Sequence, residues 1–131
     1  MQKLAFLGLA LALFCLPSCK SLTLPFGQDL KLTELLGMNV PAGSNAFIRF
    51  DEAAKKFTGN AGCNNFNGAF TLDGAKLKLG PAVSTKKMCP DMSVENKFLP
   101  MLEQVAGFQT GANGGLNLTD AAGKVLARFS K

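Results

Sequence analysis

Asp73-Gly74 divides two runs of strand-like sequence, and no other feature restricts the fold as tightly. An Asp-Gly pair readily adopts the positive backbone angles that a two-residue hairpin turn demands. After it, Lys76-Leu77-Lys78-Leu79 alternates charge with leucine, so both leucines face one side of a strand. Before it, Phe66 to Leu72 reads as the partner strand, with Phe66 and Phe70 on the same face and directed inward. An isolated hairpin is barely stable in water, so further strands are required. Leu30–Leu35, Ala46–Asp51, Lys56–Gly59, Ala82–Thr85, Phe108–Thr110, Leu116–Leu118 and Lys124–Phe129 supply them. Turn signals separate these runs at Gly37, Pro41-Ala42-Gly43-Ser44, Gly80-Pro81, Gly114-Gly115 and Ala122-Gly123.

One segment carries a helical period. Val94, Phe98, Met101, Leu102 and Val105 recur on one face. Ser93 is expected as its N-cap, with Glu95 in the first turn. Pro100 predicts a kink or break near Asn96 to Leu99, because a proline ring removes a helical hydrogen bond at a cost of about 3 kcal/mol. The fold class that follows is mainly β (α+β): a strongly curved or barrel-like antiparallel sheet, with the helix packed on it or closing one end.

The N-terminus reads as an export signal. Lys3 precedes an apolar run of 13 residues, Leu4 to Leu16, which is short for a membrane span of roughly 20 residues. Leu16-Pro17-Ser18-Cys19 resembles a bacterial lipobox, with Pro17 as its departure. That resemblance implies a signal peptide over 1–18, acylation of the Cys19 thiol, a lipidated tether over 19–28 and a single domain over 29–131. An ordinary secretory cleavage nearby is the alternative, and it too exports the chain. Lys20 after Cys19 leans towards the outer membrane, facing the periplasm, by analogy with sorting rules.

Composition narrows the chemistry. The chain of 131 residues has no histidine, which removes Cys-His and Ser-His-Asp machinery and the commonest zinc ligand. The acidic residues fall mostly in turns or, as with Glu95, on an expected solvent face of the helix. No catalytic constellation, metal site or cofactor is therefore expected, and a carboxylate-only enzyme is the minor reading. The net charge of +5 is scattered, without an arginine-rich run, so no nucleic-acid partner is expected. Cys63 and Cys89 are an even pair in an exported chain, the usual condition for a disulfide; two buried free thiols are the alternative.

Several ordered motifs now resemble one family. Gly62-Cys63-Asn64-Asn65-Phe66-Asn67-Gly68-Ala69-Phe70 fits the GCN-x-F-x-G-x-[YF] signature of the META domain, the HslJ-like family of small exported bacterial proteins. Phe50-Asp51 and Gly59 precede it as in the family. Thr85-Lys86-Lys87-Met88-Cys89 resembles the T-x-x-M-C element, Glu95, Phe98 and Leu102 the E-x-x-F-x-x-x-L helix, and Leu116-Asn117-Leu118 the final L-x-L strand. Leu30-Lys31-Leu32 stands where the family usually has W-x-L, so the tryptophan is lost.

On this resemblance Gly59, Gly62 and Gly68 allow a tight bend and close approach to the T-x-x-M-C segment, and Cys63 fixes the bend to Cys89. Asn64, Asn65 and Asn67 either satisfy nearby backbone groups or line a binding surface. The resemblance implies a noncatalytic envelope protein linked to stress or antibiotic tolerance. It is expected to sit on the membrane through its N-terminal lipid and to act as a binding or chaperone-like module for an envelope protein or an apolar ligand. The alternatives are an inhibitor of an envelope hydrolase and a pilot-like lipoprotein of a secretion system, which binds an apolar ligand or peptide.

Overall fold

The computed structural model describes residues 22–131. The expected signal peptide and Cys19 lie outside the described residues. Ten strands and one α-helix follow in chain order: β1 (Leu30–Leu35), β2 (Met38–Asn39), β3 (Phe47–Asp51), β4 (Lys56–Asn60), β5 (Asn65–Asp73), β6 (Lys76–Leu79), β7 (Val83–Ser84), α1 (Glu95–Leu102), β8 (Gly107–Thr110), β9 (Leu116–Thr119) and β10 (Val125–Ser130).

Eight strands close a barrel in the order β10-β9-β8-β6-β5-β4-β3-β1, with β1 pairing back onto β10. Every one of these pairings is antiparallel. Bulges between Leu32 and Glu34 in β1 and between Val125 and Ala127 in β10 sharpen the local twist that closure needs. The wall is uneven. β3, β4 and β5 pair along their lengths, whereas β6 meets β8 through one residue pair, Lys76 with Gly107. The expected hairpin forms as read: Asp73 pairs with Lys76, and Gly74 takes a positive φ of 59° in the loop between them.

Alternation puts Leu30, Leu32, Ile48, Phe50, Phe57, Phe66, Phe70, Leu77 and Leu79 into one buried core. Two glycines shape the wall for a reason other than the expected bend. Gly59 lies opposite Phe66, and Gly68 lies opposite Phe57. A Cβ on Gly59 would sit 2.7 Å from the Phe66 ring and closer still to the Phe47 carbonyl; one on Gly68 would sit 2.5 Å from the Phe57 ring. Each glycine therefore vacates space that the facing phenylalanine fills, a pairing that restores buried area where a side chain is missing.

The barrel has two plugged ends. At one, α1 inserts Phe98, Met101 and Leu102, and the Phe98 ring meets Phe66 at 5.4 Å and Phe129 at 6.1 Å. Pro100 neither breaks nor displaces this helix, which runs from Glu95 to Leu102. Its missing N–H deprives only the Asn96 carbonyl of an α-helical donor, and the helix ends two residues later. Ser93 is not the cap. Val94 occupies that position without a side-chain cap bond, and Ser93 turns to Asp91, its N–H donating to Asp91 Oδ1 at 2.8 Å.

At the other end, about 13 Å along β5 from Phe66, Phe70 meets Phe50 edge-on at 5.4 Å. Leu24 is buried in the core, and Phe26 stacks on Phe70 at 6.3 Å. Phe26 also bridges Phe50 in parallel, and the Gly27 N–H donates to the Phe50 carbonyl at 2.9 Å. The stretch expected to be a free tether thus joins the fold from Leu24 onwards. Burying Leu24 and part of Phe26 removes apolar surface from water, which opposes the loss of chain freedom there.

Candidate functional site

The link from β4 to β5 is a tight loop, Ala61 to Asn64, closed by the Ala61 N–H donating to the Asn64 carbonyl at 2.9 Å. Gly62 turns it with φ at 117°, a value that favours glycine. Asn60 Oδ1 accepts the Gly62 N–H at 2.8 Å, and its Nδ2 donates to Asn65 Oδ1 at 3.0 Å. Cys63, the next residue, is bonded to Cys89 with the two Cα atoms 5.9 Å apart. The disulfide closes a loop of the size that stabilises a domain by about 3–4 kcal/mol on chain-entropy grounds.

Asn64 is the centre of the site and only 2 % exposed. Its Oδ1 accepts from Thr85 Oγ1 and from the Lys87 N–H, both at 2.7 Å. Its Nδ2 donates to the Lys87 carbonyl at 2.9 Å and to Glu95 Oε2 at 2.7 Å. Its backbone N–H donates to Glu95 Oε1 at 2.6 Å. All four hydrogen-bonding positions of the carboxamide are filled. The pair of bonds to Lys87 also imitates a strand: Asn64 offers one acceptor and one donor to the amide and carbonyl of a single residue, as a neighbouring backbone would.

Glu95, 5 % exposed, is where the sequence reading fails. It was expected on a solvent face, but it lies one turn before Phe98 and two before Leu102, on the same buried stripe. That spacing was visible in the sequence. What it needed was a partner, and Asn64 supplies donors to both carboxyl oxygens. Among the described residues no lysine or arginine forms an ion pair with Glu95. The clasp joins three segments: the GCN loop, the strand-like run ending at Lys87, and the first turn of α1. It locks the same junction as the disulfide.

The other motif residues divide clearly. Thr85 joins the clasp, and Phe66 packs on Phe98 of α1. Gly68 and Phe70 belong to the wall and the far end. Met88 is 86 % exposed and stands on a rim. Below that rim lies a groove of about 450 Å³ between residues 84–88 and α1, floored by Asn64 and Glu95 and walled by Met92, Asn96 and Leu99. It leads into a second depression of about 280 Å³ towards Gly80, which shares Ser84, Lys86, Leu99 and Pro100. Among the described residues no cluster of cysteine and carboxyl groups could hold a metal ion, and no helix is long and apolar enough to cross a membrane.

The META domain model matches residues 21–131. The chain belongs to the META domain family. The match begins before β1 and so takes in the arm carrying Leu24 and Phe26. An NMR structure of a protein from Burkholderia xenovorans aligns with a TM-score of 0.59 at 21% identity, over 79% of this chain and 78% of that one. A second NMR structure aligns with a TM-score of 0.59 at 26% identity, over 77% of this chain and 86% of that one. These likenesses support the META barrel as a shared architecture. No curated protein matches the sequence.

Proposed function

We propose that this META protein is a noncatalytic binding module of the cell envelope, held on the membrane by lipid at Cys19. One observation carries the reading. The groove beside α1 has a buried carboxyl group, Glu95, and both of its oxygens are committed to Asn64. A group so engaged holds a surface in shape; it is poorly placed to move protons. The rest of the groove offers methionine, leucine, proline and lysine side chains, which suit recognition. The Cys63–Cys89 disulfide supports an oxidising compartment outside the cytoplasm. Acylation at Cys19 with two or more chains would hold the domain stably at a bilayer, at about 0.8 kcal/mol per buried methylene. A link to envelope stress or antibiotic tolerance is the physiological expectation.

Two measurements test this. A photo-crosslinking side chain at Met88 should capture a discrete envelope component in living cells, and the same probe on exposed Lys131, away from the groove, should not. Indistinguishable capture from the two positions sinks the binding reading. Mass spectrometry of the mature protein should find Cys19 acylated at its thiol and N-terminal; a free thiol there removes the anchor.

A further inference from the structure

We infer that the trench between β7 and α1 receives an extended, acidic segment of another polypeptide, which adds a strand to the open edge of β7. This rests on the binding-module reading and names the class of its partner.

The backbone register carries the argument. β7 pairs antiparallel with β5, placing Ser84 opposite Phe66 and Val83 opposite Asn67. The Thr85 N–H donates to the Asn65 carbonyl at 3.1 Å, so Thr85 and, two residues back, Val83 direct their backbone groups towards β5. Lys87 continues the same parity, with the Asn64 carboxamide standing in for a strand. Ala82, Ser84 and Lys86 therefore direct their amides and carbonyls the other way. Those three residues line one wall of the trench, and Leu99, Pro100 and Glu103 of the α1 segment line the other. Among the described residues β7 has no second strand partner. Pro100 has no N–H, so it leaves the Asn96 carbonyl without its α-helical donor, and Asn96 lines the part of the groove nearer Met88.

An apolar chain laid over Ser84 would bury its amide and carbonyl without partners, whereas a peptide backbone satisfies them. Charge fixes the polarity. Lys86 and Lys87 border the end near Met88, where the acidic group present, Glu95, is turned onto Asn64. Glu103 borders the opposite end. Acidic side chains of the incoming strand belong at the lysine end.

The test uses the mature lipoprotein in detergent micelles and a random peptide display library. Peptides enriched in acidic residues at one end and alternating apolar residues should be selected. Binding should shift the Ser84 amide resonance and slow its hydrogen exchange. Ser84→Pro deletes the trench-facing N–H and leaves the β5 pairing intact, so affinity should fall about tenfold, the value of one backbone hydrogen bond, while Ser84→Ala binds normally. Should Ser84→Pro fold poorly, N-methylation of alternate amides in the selected peptide tests the same bonds from the ligand side, and binding should be lost in one of the two parities only.

Absence of any acidic selection, or equal tolerance of N-methylation in both parities, overturns strand addition. So does palmitate producing the Ser84 shift and displacing the peptide, or a dimer of this chain that Ser84→Pro dissociates. Capture from Met88 in cells alongside failure of every peptide would leave the binding-module reading standing and reject this one.

Discussion

The two ends of the barrel are closed by different physics. At the Phe66 end, a helix, a disulfide and a saturated polar clasp meet within a few residues of one another. At the Phe70 end, an arm carrying Leu24 and Phe26 lies over the opening, held by apolar contact, one backbone hydrogen bond and an exposed ion pair, Asp29 with Arg49 at 2.8 Å. Exposed pairs of that kind contribute little. The contrast teaches that a small barrel can concentrate its specific chemistry at one mouth and seal the other with ordinary hydrophobic burial. The first end should open only with the whole domain; the second should open by itself.

The sharpest way to break this contrast is Phe98→Ala. It removes a fully buried ring from between Phe66 and Phe129 and should cost about 3–5 kcal/mol in urea unfolding. A loss no larger than that of an arm variant would show the ends to be equivalent. Replacing both Cys63 and Cys89 by alanine should cost about 3–4 kcal/mol, and the linker from residue 85 to 94 should gain hydrogen exchange before β3 does.

Asn64→Ala strands the buried Glu95 carboxyl without its side-chain donor and should cost about 2–3 kcal/mol. Combined with loss of the disulfide, its effect should be non-additive, since both fasten one junction. At the other mouth, Leu24→Ala should cost about 2 kcal/mol, because the arm can settle into part of the vacated space. Its signature should be faster exchange at the Gly27 amide with Asn64 undisturbed; simultaneous loosening of both would merge the two regions into one cooperative unit.

The smallest effect concerns pH. The Ser93 hydroxyl, then the Ser93 N–H, hold the Asp91 carboxyl below its ordinary value of 3.8. A lowered folded value means stability that is present above the unfolded value and lost as pH falls through the folded one. Asp91→Asn should therefore lower the urea midpoint slightly at neutral pH and match the parent in strong acid.

Legibility in the sequence followed the same division. Alternation and turn residues marked most strands, because the barrel interior demands one apolar face from each. Phe66 and Phe70 could be placed inward by parity alone. The two-residue strand β2 escaped notice, since Met38 and Asn39 are exposed and carry no pattern. Leu22, Leu24 and Phe26 alternate within the expected tether, but Pro25 interrupts so short a run and hides its pairing; only the open barrel end gives Leu24 and Phe26 a purpose. Glu95 was misplaced because a charged residue is ordinarily solvated, and its burial depends on Asn64, 31 positions earlier in the chain. The expected cap at Ser93 is not made: the Ser93 N–H donates to Asp91 Oδ1, and the Met92 carbonyl accepts the Asn96 N–H.

The docking of Leu24 against the core also sets a scale. Were Cys19 acylated, no more than about 18 Å of fully stretched chain would separate the lipid from the folded body. So short a leash would let the body swivel but not wander, and would keep the Phe70 mouth nearer the bilayer than the helical mouth. Whatever meets the helical side would have to come to the membrane to do so.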